Sequence, residues 1–452
     1  MNAGLTMLAI FLFASAAAAA QDQATATGST GAATELPFGG TLRYDLHLSQ
    51  TFQFGGGQNI QESSYISGDA SYSNTAKLLP FSMQYGGGYG RNWNVSNSGG
   101  NVFQHLSFSQ GFVWRKWSLT ASDSVSESFQ TSTTGFTGVP GTGEPVGTTD
   151  STTTPDQTLL VLDTRTVSNS TMLAFSDRLN SEYSINLNGS ESEMYFIDNN
   201  GLNSNSLTAS GGIARRLSSR NSLSSQYSYS RYGYSGTSFS AQTSSLTAGF
   251  TRMWNRRLNT SVNAGPLWVS SSGTAPTGST STSGTLTNAA TVPSSTMLSL
   301  TAMVSYQLRR GNAGANYFHG TTGGSGYMLG SKVDSFGTNY SRPFGRNLSV
   351  GATGSYMRTT SLEQTLVLVA DGNWFVYTPA TINGVTNAKF GGVQASRQLG
   401  RRLSLFANYT AIAQSSSLQI SKAGYNANLL QGVNQVFGFG IGYTPREMHF
   451  KK

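Results

Sequence analysis

The sequence of 452 residues has a net charge of +8, yet only 11% of its residues are charged, against roughly 25% in an ordinary soluble domain. Its 6 Trp, 20 Tyr and 24 Phe exclude a disordered chain. The absence of cysteine excludes disulfide scaffolds, thiol catalysis and cysteine-ligated metals. A helical membrane protein needs apolar stretches of about 20 residues, and only the N-terminus approaches one. The composition therefore favours an all-β protein that is poor in ionised groups.

The N-terminus begins with a short apolar run, residues 5–13, followed by small residues up to Ala20. Because this run is too short to span a bilayer and ends in small residues, it predicts a cleaved secretory signal peptide over residues 1–20. A buried N-terminal helix is the alternative, since the first four residues carry no Lys or Arg. Residues 21–38 are polar and without periodicity, which predicts a disordered linker.

From Thr41 onward, apolar residues recur at every second position. Even positions from Leu42 to Phe54 are mainly apolar and odd positions are polar, and the last such segment places Phe437, Phe439, Ile441 and Tyr443 at odd positions. Successive residues of a strand face opposite sides, so each strand has one apolar and one polar face. We expect these two strands to be neighbours, with the apolar positions facing lipid. The pattern assigns residues 39–446 to one β-domain and leaves 447–452 as a C-terminal tail.

The connections between these segments are of two kinds that alternate. One kind is short and basic, such as residues 114–117 and 397–403, and the other is polar and variable, such as residues 131–157 and 270–295. Eight basic turns imply eight hairpins, and one further strand at each end predicts about 18 strands. Competing apolar runs at residues 158–171 leave the count open by one hairpin.

Short turns on one side and long loops on the other are typical of an outer-membrane barrel. Extended backbone in lipid must have every edge paired, which requires closure into an antiparallel barrel. The sequence therefore predicts a single closed antiparallel transmembrane β-barrel in the bacterial outer membrane, with the outer-membrane lipids as partners. A soluble sandwich or propeller is the alternative, but its long insertions would not keep to one side.

The eight basic turns hold 17 of the 28 Lys and Arg residues. We interpret them as a ring at the periplasmic rim that contacts lipid phosphates, with a specific anionic partner as the alternative. No turn places basic side chains and aromatic rings along one groove, so nucleic acid is not expected as a partner.

Candidate pore-lining residues are the charged and imidazole groups on polar faces, namely Arg43, Asp45, His47, Asp69 and His105. An ion pair with two imidazoles could form a binding site or a constriction. The alternative is a solvated patch of the wall. Protonation of the imidazoles at acid pH would add positive charge and favour anions.

No catalytic residue, metal or cofactor is expected, and the protein is not expected to be an enzyme. His105 with Ser107 or Ser109 is the arrangement most similar to a catalytic base and nucleophile. Because these side chains share only one strand face, they are weak support for catalysis. No phosphate loop, zinc motif or dinucleotide fingerprint occurs in a strand-to-helix context.

The basic turn repeats as Arg-x-(Leu/Phe)-Gly-Arg-(Arg/Asn)-Leu-Ser at residues 342–349 and 397–404. It resembles the hairpin repeat of a loose group of bacterial outer-membrane β-barrels, which includes β-barrel porins encoded near exopolysaccharide-export genes. The resemblance implies an outer-membrane barrel and an association with polysaccharide, but it carries over no binding residue.

The function expected from these patterns is a porin-like channel for passive diffusion of small polar solutes, because an 18-strand barrel can hold an aqueous lumen. Two alternatives stay open: a barrel dedicated to exopolysaccharide secretion or anchoring, and a structural barrel with a closed lumen. The sequence leaves the solute and the oligomeric state open.

Overall fold

The structure is a computed structural model that describes residues 40–55, 60–74, 78–93, 100–130, 164–197, 203–235, 240–272, 294–322, 330–362, 364–371, 374–381, 384–417, 421–422, 425–426 and 432–449. The signal peptide and linker predicted for residues 1–38 lie outside this part of the chain. Within it, no helix is long and apolar enough to cross a membrane.

The described chain forms one closed antiparallel barrel of 18 strands, which confirms the predicted fold. Each strand pairs with its neighbours in sequence. The strands are β1 Thr41–Gly55, β2 Gln61–Asn74, β3 Phe81–Asn92, β4 Gly100–Val113, β5 Trp117–Gln130, β6 Thr164–Arg178, β7 Tyr183–Phe196, β8 Ser204–Arg216, β9 Asn221–Tyr234, β10 Ser240–Met253, β11 Leu258–Ser272, β12 Ser295–Leu308, β13 Gly311–Thr322, β14 Ser331–Phe344, β15 Leu348–Ser361, β16 Val385–Gln398, β17 Leu403–Ser416 and β18 Gly432–Tyr443.

The barrel closes where β1 pairs with β18. Leu46 lies opposite Tyr443 and Phe52 opposite Phe437 in an antiparallel register. The apolar side chains of both strands are exposed on the outer surface, and Leu48 reaches 60% exposure. The predicted pairing of the first and last strands, with the apolar positions outward, is therefore confirmed.

All eight basic turns join strands at one end of the barrel, which we call the turn side, and the longer connections lie at the other end, the loop side. Local side-chain bonds explain why several turns are tight. Asn180 accepts hydrogen bonds from the backbone N–H groups of Glu182 and Tyr183 at 2.8 and 2.9 Å, and Asn255 and Ser218 do the same in their turns. Such bonds satisfy backbone donors that a reversing chain leaves unpaired. Barrels of the outer membrane have short periplasmic turns and longer extracellular loops, and the turn side and loop side of this barrel follow the same pattern.

Two rows of aromatic side chains mark the edges of the apolar band. Near the turn side, Trp114 stacks on Trp117 with ring centroids 5.9 Å apart, and Arg252 lies 4.1 Å above the ring of Trp254. Near the loop side, exposed rings include Tyr89 and Tyr356. Amphipathic rings at both interfaces are the expected girdles of a membrane barrel.

Three short elements lie outside the 18 strands. Met448–His449 pairs with Thr41 and Leu42, so part of the segment predicted as a tail continues the sheet beside β1. The connection after β15 contains a separate hairpin, Gln364–Asp371 with Trp374–Thr381. A two-residue pairing, Ser421–Lys422 with Tyr425–Asn426, follows β17.

Candidate functional site: the barrel lumen

The inward face of the barrel is built mainly from hydroxyl and amide side chains on alternate residues. Many of them bond across neighbouring strands, as Ser126 does with Ser168 at 2.6 Å and Thr208 with Ser230 at 3.0 Å. Because these groups satisfy one another, the parts of the wall that they form are polar without carrying charge. Such a wall can hold water and neutral solutes next to the backbone.

The structure brings three of the five predicted pore-lining residues together. Asp45 on β1 lies opposite Asp69 on β2, and His47 Nε2 is 3.8 Å from Asp69 Oδ2. The neighbouring strands give these groups room, because Gly86 stands opposite Asp69 and Gly442 opposite His47. A side chain at Gly86 would collide with Asp69 Oδ1. We call Asp45, His47 and Asp69 the β1–β2 cluster.

Two polar atoms of this cluster are buried and unsatisfied. Asp45 Oδ1 and His47 Nδ1 have no hydrogen-bond partner within the described part of the chain. The His47 ring meets Phe406 edge-on, at 6.2 Å between centroids, so β17 fixes its position from one side. Buried polar atoms usually have a partner, so these two atoms carry a desolvation cost that no hydrogen bond within the described part of the chain offsets.

The other two predicted residues stand apart from the cluster. Arg43 lies at the turn-side mouth, where its Nε pairs with Glu447 Oε1 at 2.9 Å. His105 on β4 lies opposite Gly86 on β3, in the register row that contains Asp69 on β2. One strand therefore separates the imidazole of His105 from Asp69. The described residues contain no group of three or more His, Asp or Glu that could hold a metal ion.

Apolar packing inside the loop-side half of the barrel is a feature that the sequence pattern did not predict. From β14 through β18 to β2, inward side chains of this half are buried, and Val333 and Ile412 are 0% exposed. The apolar members of this buried arc are Tyr65, Val333, Met357, Phe390, Ile412 and Val436. A side chain that lines water keeps part of its surface accessible, so this arc is covered by protein.

Inward side chains are also buried at the loop-side ends of β9 to β11, including Tyr234, Leu267 and Val269, but others remain accessible further toward the turn side. On β6, β7 and β9, the inward side chains Ser170, Met172, Asn186, Asn188 and Gln226 are exposed. We call these five residues the exposed strip. Its members are uncharged, and four of the five are polar. These accessible side chains lie in the middle or the turn-side half of their strands, whereas inward side chains at the loop-side ends of several strands are buried.

No protein-family model and no curated protein matches this chain. Among solved structures, it is similar to the outer membrane protein OpdK from Pseudomonas aeruginosa, with 10% identity, a TM-score of 0.42, and coverage of 90% of this chain and 99% of OpdK. The FrpB iron transporter from Neisseria meningitidis has 8% identity, a TM-score of 0.43, and coverage of 91% and 82%. OccAB3 from Acinetobacter baumannii has 8% identity, a TM-score of 0.38, and coverage of 91% and 99%.

Proposed function

We propose that this protein is a passive outer-membrane channel for small polar solutes. The observation that carries the proposal is a closed barrel with an apolar outer surface and an exposed, uncharged strip on its inner wall. Hydroxyl and amide groups such as those of Ser170 and Asn188 exchange hydrogen bonds with water and neutral solutes at little cost. The channel selects mainly by size, and the β1–β2 cluster supplies its strongest local field.

A structural barrel with a closed lumen is the second candidate. It is favoured by the buried arc and by the buried inward side chains of Tyr234, Leu267 and Val269 on β9 to β11, which together remove much of the loop-side wall from contact with water. Secretion of polysaccharide gains no support from the inner wall. Sugar rings commonly stack on exposed aromatic rings. The inward rings of Tyr65, Phe103, Phe196, Tyr234 and Phe390 are buried, and those of Tyr232, Phe318 and Phe406 are only partly accessible.

Conductance of the purified full-length barrel in a planar bilayer tests the proposal. We expect discrete openings whose size falls when a neutral polymer that fits the lumen is added. Asn188→Trp, which places a large ring on the exposed strip, should lower the conductance of each opening. Leu187→Trp on the adjacent outward position is the matched control and should leave conductance unchanged, because aromatic residues are tolerated on a lipid-facing surface. A folded barrel that never conducts would support the closed structural barrel instead.

A further inference from the structure

The outer surface carries a group of charged side chains at the loop-side ends of β13 to β16. His319, Lys332, Asp334, Arg358 and Lys389 share the strand faces of the exposed outward rings Phe336 and Tyr356. They therefore point away from the lumen. We call Lys332, Arg358 and Lys389 the outer cationic patch.

The three cations lie close together across successive strands. Lys332 on β14 faces Thr360 on β15, two residues from Arg358. Arg358 in turn faces Asn387 on β16, two residues from Lys389. Diagonal neighbours of this kind are about 7–8 Å apart, so Arg358 lies between Lys332 and Lys389 and can share an anionic group with either of them.

The carboxylate next to the patch, that of Asp334, is hydrogen-bonded to residues outside the patch. Asp334 lies opposite Arg358 in the register, yet it hydrogen-bonds to His319 Nδ1 on its other side and accepts a hydrogen bond from the Tyr317 hydroxyl at 3.3 Å. Within the described part of the chain, Lys332, Arg358 and Lys389 form no ion pair. The patch therefore carries three positive charges beside the single carboxylate of Asp334, which leaves this surface with a net positive charge.

The height of the patch identifies the environment that it meets. Tyr317, Phe336 and Tyr356 form one register row, which Lys389 continues. Arg358 and Lys332 lie two and four residues further toward the loops. Tyr side chains sit at the headgroup level of a membrane, so the patch lies among the headgroups of the outer leaflet rather than in the hydrocarbon layer.

We propose that the outer cationic patch binds the phosphate groups of an outer-leaflet lipid. Cations at a membrane surface attract phosphate through charge and hydrogen bonds, and Asn387 and the Thr360 hydroxyl beside them add further polar groups on the same face. The occupant is a lipid rather than free phosphate, because the site faces the bilayer and not the lumen. The site does not depend on whether the lumen conducts.

Native mass spectrometry of the full-length barrel in detergent tests the site with diphosphorylated lipid A, its dephosphorylated form, and inorganic phosphate. Wild-type protein should retain the diphosphorylated lipid in preference to both other probes. The triple variant Lys332→Gln, Arg358→Gln and Lys389→Gln should bind it roughly 100-fold more weakly, since each surface cation contributes about a fivefold change in affinity. Arg231→Gln is the control, because Arg231 is an outward residue near the loop-side end of β9 that lies between Leu207 and Gln242.

Three results would overturn the site: equal retention of both lipid forms, unchanged binding in the triple variant, or an equal loss in Arg231→Gln. A carbodiimide crosslink from Lys389 to Glu191 or Glu193 of a second copy would assign the patch to self-association instead. If the triple variant does not fold, the salt dependence of lipid binding by the wild-type protein still tests the site. Its preference for the phosphorylated lipid must weaken as salt is raised, and a preference that ignores salt contradicts the proposal.

Discussion

His47 on β1 and Asp69 on β2 face each other inside the barrel, with Nε2 3.8 Å from Oδ2. The two strands are paired along their length, so this distance is held by the sheet. Asp45 lies opposite Asp69 on the same face, which places two carboxylates and one imidazole at one level of the wall. The charge of this cluster therefore depends on whether the imidazole is protonated.

Replacing His47 and His105 by alanine should weaken the pH dependence of ion selectivity. In the wild type, an imidazole that gains a proton adds positive charge to the wall that holds Asp45 and Asp69, so a shift of selectivity toward anions as pH falls is the effect expected of these two side chains. The double variant should shift less, because the carboxylates alone respond. Reversal potentials under a salt gradient at neutral and acid pH measure this. Identical shifts in both proteins would remove the imidazoles from the permeation path.

Arginine at two adjacent positions of β7 should have opposite consequences. Leu187 is exposed on the outer surface, and Asn188 points into the lumen, where its amide is 3.5 Å from the Ser210 hydroxyl. Leu187→Arg should lower the free energy of unfolding by about 2–4 kcal/mol, because a lipid-facing arginine is costly near the midplane. Asn188→Arg should leave stability nearly unchanged and shift selectivity toward anions. Urea unfolding in lipid vesicles measures the change in stability, and reversal potentials measure the change in selectivity. Equal destabilisation by the two variants would show that Leu187 and Asn188 do not point to opposite sides of the barrel wall.

The number of strands, and which residues of each strand point outward or inward, were predictable because both depend on local features of the sequence. A basic turn such as residues 397–403 marks a chain reversal wherever it occurs, and the alternation around Leu187 repeats every two residues regardless of the neighbouring strand. Together these two signals predicted both the 18 strands and the pairing of β1 with β18.

The buried arc could not be predicted in the same way. Val333, Phe390 and Ile412 occupy inward positions. Their burial depends on which parts of the folded chain cover them, and the alternation of apolar and polar residues along a strand carries no information about that. The outer cationic patch was missed for a related reason. Lys332 and Arg358 interrupt the apolar face of their strands, and only the register shows that they become neighbours.

Adding a methyl group at Gly440 should destabilise the barrel, whereas the same change at Gly391 should not. A side chain at Gly440 would collide with the backbone oxygen of Leu48 and the ring of Phe406, while nothing lies within 4 Å of the corresponding position at Gly391. We expect Gly440→Ala to lower the free energy of unfolding by about 1–3 kcal/mol. Gly391→Ala should be neutral or stabilising by up to about 1 kcal/mol. Urea titration of the folded fraction checks both, and equal stability of the two variants would contradict the packing at β1, β17 and β18.

Single cysteines should distinguish the exposed strip from the buried arc. The chain has no native cysteine, so a thiol introduced at Ser170 or Thr359 would be the only target of a sulfonated thiosulfonate reagent. Ser170 lies on the exposed strip, whereas Thr359 points inward from β15 and is 1% exposed. Because the thiol must meet the reagent in water to react, Ser170→Cys should be modified rapidly, with a fall in conductance. Thr359→Cys should react only after unfolding. Comparable rates at both positions in the folded protein would mean that water reaches the arc, and the accessible lumen would then extend into the loop-side half of the barrel at β15.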